Sequence, residues 1–328
     1  MTHRAALITG TLFALAAGLM WGLLFVAPLM LPAYPAALLS VSRYFAFGLI
    51  AASLAWWDRE GLRRLTRDDW LEALKLSTVG NLLYYLFLAA AIQRAGGPLP
   101  TMIIGTLPVV IAITSNLRDA QRDGRMPWAR LGPSLALIAL GLALVNRVEF
   151  EHLRRQALVS VETYASGAAL AVAAVVCWTW YPIRNADWLR AHADRSPRSW
   201  ATAQGVATLP LAALGFFGFW AWNTASVQTF TMPFGPTPGL FIGLMFSIGL
   251  LASWLGTLCW NEASQRLPTT LVGQLIVFET LSALAYAYLL RGTWPEPLTL
   301  VGITLLVAGV IWALRVRPEP LAAQAHAA

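Results

Sequence analysis

The feature that most constrains this chain is a segment it contains twice. Leu99 to Val109 reads LPTMIIGTLPV and Leu267 to Val277 reads LPTTLVGQLIV, with Leu, Pro, Thr, Gly, Leu and Val in register. Each copy follows a Gln-Arg pair, Gln93-Arg94 in one case and Gln265-Arg266 in the other. A second echo lies upstream of both. Gly10 to Trp21 (GTLFALAAGLMW) matches Gly167 to Trp178 (GAALAVAAVVCW), with Gly and Trp equally spaced. Two echoes in the same order imply an internal duplication of roughly half the chain.

What is duplicated is apolar. Of 328 residues, 58% are hydrophobic and 12% charged, with a mean hydropathy of +0.61. A soluble domain carries about 25% charged residues. Half that fraction, with apolar runs of about 20 residues recurring along the chain, specifies an integral membrane protein. The net charge of +7 does not indicate a nucleic-acid partner, because the arginines sit in short loops between apolar runs. The N-terminal run reads as a first span rather than a signal peptide, being long and followed by nine more. Cys177 and Cys259 both lie inside apolar runs and read as small buried hydrophobes. The four histidines (His3, His152, His192 and His326) all lie outside the spans, and no P-loop, HExxH or nucleophile elbow occurs. No catalytic residue, metal site or cofactor is therefore expected.

Ten spans are expected, at 7–28, 36–57, 70–92, 98–117, 128–146, 161–182, 199–221, 237–260, 268–290 and 296–315. All must be helices, since a lipid-exposed backbone has to satisfy its own hydrogen bonds. Sixteen arginines fall on one side of this arrangement and five on the other, which puts both termini in the cytoplasm. Five spans per copy is an odd number, so the second copy enters the membrane inverted relative to the first. Inverted repeats characterise transporters that rock about a central site. The expected divisions are a first five-helix repeat at 1–146, an extracytoplasmic linker at 147–160, a second inverted repeat at 161–315 and a cytoplasmic tail at 316–328.

Ten spans in a five-plus-five inverted repeat resemble the drug/metabolite transporter superfamily in its EamA-like branch. So do the Gly…Trp first span of each half and the Ala-x-Gln-Arg…Leu-Pro-Thr junctions, Ala91 to Thr101 and Ala263 to Thr269. The aromatic richness and the Trp260-Asn261 pair resemble the aromatic amino acid exporters of that superfamily, the YddG type. The resemblance implies export of an amino acid or similar amphiphilic metabolite, most naturally an aromatic one. Other metabolites or cationic drugs are the alternative cargo, with proton coupling open. A lipid-modifying enzyme would need clustered carboxylates or histidines at the membrane face, which the sequence lacks. The implied partners are a small-molecule substrate and the lipid bilayer, with no nucleic acid; a monomer is compatible with this reading.

Polar groups within spans should face the bundle interior or a wet cavity. Glu279 is the sharpest case, near mid-span where the first repeat has Ile111. A charge at that depth costs at least ~2.5–3.5 kcal/mol, so Glu279 is either a ligand or proton site or a protonated hydrogen-bonding group. Arg43 sits about two turns into the second span, either as a site residue or as a structural partner for helix ends or for Glu279. Asn81, Tyr84, Tyr85 and Leu88 share one face of the third helix, read as a cavity wall. Trp21 and Trp178 are repeat-related, and the inversion directs one toward each side of the membrane. They are either interfacial anchors or a pair of gates, with Tyr181 one turn beyond Trp178. Gln274 is expected to share the face of Glu279, while Gln204 and Trp254 are weaker candidates. The fifth and tenth spans, around Gly132–Gly141 and Gly302–Gly309, read as packing helices, and Gly18-x-x-x-Gly22 as a close-approach site.

Overall fold

A computed structural model of the chain describes residues 3–95, 100, 103–118, 126–154, 161–226 and 230–316. Among these, every regular element is helical, and the helices fall into ten main segments and one single-turn helix. The first, α1, runs His3–Gly22 and continues through a 3₁₀ turn, Leu23–Phe25, into Val26–Met30. It is followed by α2 (Ala36–Ala55) and a single-turn helix, Arg59–Arg63. Next, α3 runs Arg67–Leu76, a π-helical stretch Ser77–Leu83, and Tyr84–Ala95. Helix α4 is Leu107–Arg118, α5 Trp128–Arg154, α6 Val161–Ala191 and α7 Pro197–Ala225. In α8, Pro238–Ile248 leads through a second π stretch, Gly249–Leu255, into Gly256–Arg266. Helix α9 comes in two pieces, Thr269–Leu275 and Val277–Arg291, and α10 is Pro297–Arg315. Eight of these segments are long and apolar enough to cross a membrane, and α4 is a shorter apolar helix.

The helix starts are written in local chemistry. Thr66 and Asp69 form a capping box before α3, satisfying two otherwise unpaired N–H groups. Ser196 accepts from the Arg198 N–H at 3.2 Å ahead of α7, with Pro197 in its first turn. Proline also opens α8 and α10, where a missing N–H costs nothing. Gly292 ends α9 with φ +64°, a left-handed geometry open to glycine without steric cost.

The duplicated segment breaks a helix in each half. In the first copy, Gly105 and Thr106 form a turn before α4 starts at Leu107. In the second, the two pieces of α9 meet at Ile276. Leu99, Thr101 and Met102 of the first copy lie outside the described residues, as do residues 155–160 of the expected linker and 317–328 of the expected tail. The described part of the linker continues α5 as helix to Arg154, and α6 likewise runs nine residues past its expected end at 182. In α6 the apolar run ends, but the helix continues where Arg184, Asp187 and Arg190 find partners beyond the apolar layer.

Helices α5 and α10 pack against each other at close range. A Cβ at Gly141 would lie 2.8 Å from the Gly302 carbonyl, and one at Gly309 would lie 3.0 Å from the Ser134 carbonyl. Gly132, by contrast, faces open space. The other closely packed pairs are α2 with α7, α3 with α6, α1 with α8, and α4 with α9. Gly18 and Gly22 bring α1 onto α9, where added Cβ atoms would meet the Glu279 backbone nitrogen at 3.0 Å and Ser282 Cβ at 2.6 Å. This contact carries Trp21 to the level of Glu279, at the heart of the bundle.

Candidate functional site

Six helices converge on a central cavity. Its wall comprises Trp21 and Leu24 from α1, Arg43, Tyr44 and Phe47 from α2, and Asn81 and Tyr84 from α3. Trp178 and Tyr181 from α6, Ala252, Ser253 and Thr257 from α8, and Glu279 from α9 complete it. The space between these side chains, its open mouth included, amounts to about 440 Å³. Both π stretches border it, Asn81 lying in one and Ala252 and Ser253 in the other. A π turn shifts the backbone pairing and frees groups for other partners, which is why such turns gather at functional sites. Here the Trp21 indole N–H donates to the Ala252 carbonyl at 2.9 Å.

Aromatic rings form most of the wall. Trp178 is stacked between Tyr84 (centroids 4.8 Å apart) and Tyr181 (5.0 Å), while Trp21 meets Trp178 edge-on at 5.7 Å and Trp260 at 5.0 Å. Gly80 makes the flat packing possible, since a Cβ there would fall 2.2 Å from a Tyr181 ring carbon. The stack offers ring faces and edges, suited to another aromatic ring.

Two charges share this apolar space. Glu279 sits in the first turn of the second piece of α9, where the helix end favours negative charge. Arg43 is 7% exposed, with its guanidinium 4.1 Å from the Tyr44 ring centroid and 4.9 Å from that of Tyr85. One of its nitrogens donates to the Tyr44 hydroxyl, while Nε and Nη1 have no hydrogen-bond partner. Both Arg43 and Glu279 are described residues, and no ion pair joins them.

Beyond the cavity, on the arginine-rich side, the two halves of the chain are tied by charge. Glu72 on α3 receives Arg184 of α6 bidentately, at 2.5 and 3.2 Å. Arg118 at the end of α4 meets Asp187 at 3.2 and 2.6 Å, and Asp58 accepts from Arg198 at 2.9 Å. Asp69 accepts the Trp188 indole N–H at 2.9 Å, with His192 3.7 Å away. Under this layer a buried chain of hydrogen bonds leads back to the cavity. Tyr181 donates to Gln204 (2.8 Å), Gln204 to Asn185 (3.1 Å), and Asn185 to Asn261 (2.8 Å). At the opposite end the Tyr34 hydroxyl donates to the Phe234 carbonyl at 2.8 Å, tying the halves there as well.

Seven of the nine residues singled out from the sequence line the cavity: Trp21, Arg43, Asn81, Tyr84, Trp178, Tyr181 and Glu279. Two do not. Tyr85 lies behind Arg43, supporting its guanidinium. Gln274 is fully buried against α5, accepting from the Ser134 hydroxyl, so it belongs to the packing layer and not to the face of Glu279. The break at Ile276 separates the two: Gln274 and Glu279 sit on different helical pieces and lose their common periodicity. Trp21 and Trp178 are also not directed to opposite membrane edges; their rings touch at the centre. Each lies deep in a helix that crosses the bundle core. Tyr44, Ser253 and Thr257 were missed. Tyr44 follows Arg43 directly, and helical periodicity does not predict that neighbours share a cavity.

The chain resembles known proteins over nearly its whole length. The model of the EamA-like transporter family matches residues 8–147. The inner membrane protein YtfF of Escherichia coli (strain K12) is 53% identical over 315 residues, covering 95% of this chain and 97% of that protein. A protein crystal structure superposes with a TM-score of 0.71 at 18% identity, over 93% of this chain and 96% of that one, a likeness of fold.

Proposed function

Because the chain belongs to the EamA-like transporter family, of the drug/metabolite transporter superfamily, we propose that it exports aromatic amino acids and related amphiphilic metabolites by alternating access. It is a transporter and not an enzyme, and its substrate is a small molecule. The observation that carries the finer reading is the central cavity: stacked Tyr84, Trp178 and Tyr181 with the Glu279 carboxylate on the same wall. An aromatic cargo packs its ring on that stack and presents an ammonium group to Glu279. A purely cationic drug is the second reading, favoured by Glu279 alone. Arg43 on the same wall weighs against it, because a buried like charge repels such a cargo.

Two features support alternating access between inverted repeats, 1–146 and 161–315. Alongside the α1–α9 contact, five close helix pairs are α2–α7, α4–α9, α5–α10, α3–α6 and α8–α1. Exchanging each helix for its counterpart five positions along leaves that set unchanged, as an internal two-fold axis requires. The charge ties described above join the two halves on the arginine-rich side, as expected of a carrier held closed at that end. The arginine bias assigns that closed side, and with it both termini, to the cytoplasm of an inner-membrane protein.

The test is counterflow of labelled aromatic amino acids in proteoliposomes, with and without a pH gradient. Saturable exchange, lost in Glu279→Gln without a matching loss of thermal stability, is the expected result. Absence of saturable exchange for every aromatic amino acid refutes the substrate assignment.

A further inference from the structure

Arg43 is the group in the cavity that the reading above leaves without a task. Its guanidinium is held between two tyrosine rings, one nitrogen is taken by the Tyr44 hydroxyl, and Nε and Nη1 find no partner in the protein. A guanidinium has five donors and no acceptor, and a buried cation with open donors is stable only where an anion or polar group meets it. Glu279 lines the same cavity and does not meet it. Two opposite charges within one small apolar space would otherwise draw together and collapse it. Here the tyrosines hold the arginine on α2 by cation–π contact. Helix α1, seated on α9 through Gly18, fixes the backbone at Glu279.

We propose that Arg43 is the carboxylate anchor of the substrate site, so that the cavity selects molecules bearing both a carboxylate and an ammonium group beside an aromatic or apolar body. This rests on the reading of the cavity as the export site and narrows it. In this arrangement the carboxylate accepts from the free guanidinium donors, the ammonium faces Glu279, and the ring lies along Tyr84, Trp178 and Tyr181. The two protein charges are thereby neutralised together by one ligand. An aromatic amine satisfies Glu279 and leaves Arg43 opposed to nothing; an aromatic acid does the reverse. Charge pairing at both ends is what separates the zwitterion from either. Arginine suits the role better than lysine because its planar fork is always charged and stacks on rings.

The experiment uses the full chain in proteoliposomes and three probes of one ring: L-phenylalanine, 2-phenylethylamine and 3-phenylpropionate, each labelled and each as a competitor. In the wild type, phenylalanine should exchange at least tenfold better than either single-charge analogue. Arg43→Gln should lower phenylalanine exchange at least tenfold and shift the amine-to-phenylalanine ratio at least tenfold toward the amine. Arg43→Lys should recover part of the loss. Thermal unfolding in detergent separates this from misfolding. A ratio that Arg43→Gln leaves unchanged, while all probes fall together, overturns the assignment and makes Arg43 a support for the bundle. If Arg43→Gln does not fold, the wild-type panel decides: an amine that competes as well as phenylalanine overturns it. A wild type that binds and moves none of the probes would instead refute the export reading itself.

Discussion

Loosening the charged layer on the arginine-rich side should open the carrier at that end. Glu72 and Arg184 form a bidentate pair in which the Glu72 side chain is 8% exposed and that of Arg184 47%. A charge-assisted bidentate pair is worth about 1.5–3 kcal/mol when shielded, and half-exposure of the arginine discounts this to about 1 kcal/mol. Once the halves separate, both groups are solvated, so the loss falls on the closed state alone. Glu72→Gln should therefore shift the closed-to-open equilibrium about fivefold, since each 1.4 kcal/mol is tenfold. Asp187→Asn removes a second pair, with Arg118, whose geometry is comparable. Asp187 also acts through space on Arg184, so the two changes are coupled, and the double variant should shift the equilibrium further than either single one. The measurement is a spin-label distance distribution between cysteines at Glu60 and Asp194. Both residues are exposed on that side, one on each half of the chain, and the native Cys177 and Cys259 would be replaced by Ala. A longer-distance population should grow in the order wild type, single, double. Distributions that coincide in all three refute the idea that these pairs hold the halves together.

Other substitutions separate cavity from packing. Gly80→Ala puts a Cβ 2.2 Å from the Tyr181 ring; overpacking of about 1–3 kcal/mol should lower the unfolding temperature and reduce transport together, the ring having been displaced from Trp178. Trp21→Ala and Trp178→Ala should part company. Trp21 is 5% exposed and hydrogen-bonded to Ala252, so its loss should cost about 3–5 kcal/mol of stability. Trp178 is half-buried at the cavity, and its loss should cut transport per folded molecule more than it lowers stability. Gln274→Leu should leave transport per folded molecule unchanged and alter thermal stability by under about 1.5 kcal/mol, because Ser134 keeps the Gly309 carbonyl as an acceptor. Impaired transport in a fully stable Gln274→Leu would put that residue back in the site.

Much of this was legible because lipid simplifies the rules. A carboxylate at mid-span and an arginine two turns deep have few structural uses, and both do line the cavity. Tyr84 and Asn81 followed from helical spacing, and the glycine-rich α5 and α10 from their lack of polar residues. What was not legible depended on breaks in that spacing. The π stretches at Ser77–Leu83 and Gly249–Leu255 carry no proline and no unusual run of residues, yet they shape the wall. The interruption at Ile276 put Gln274 out of phase with Glu279. Position along a span also misjudged Trp21 and Trp178, because pairing of α1 with α8 and α3 with α6 is tertiary information that a single helix does not contain. The charge ties between halves were hidden for the same reason. Glu72 and Arg184 are more than a hundred residues apart, and each alone looks like an ordinary loop-side charge.

The central claim is that one cavity, bordered by Ser253, receives the substrate and opens to each side in turn. Ser253 has a buried hydroxyl on the wall with no hydrogen-bond partner, so a cysteine there should disturb little. In a background with Cys177 and Cys259 replaced by Ala, Ser253→Cys would be labelled by a membrane-impermeant thiol reagent applied to one face or the other of oriented vesicles. Modification from both faces, slowed from both by saturating L-phenylalanine, is the predicted result. Modification from one face only, or rates that L-phenylalanine leaves unchanged, would contradict the account.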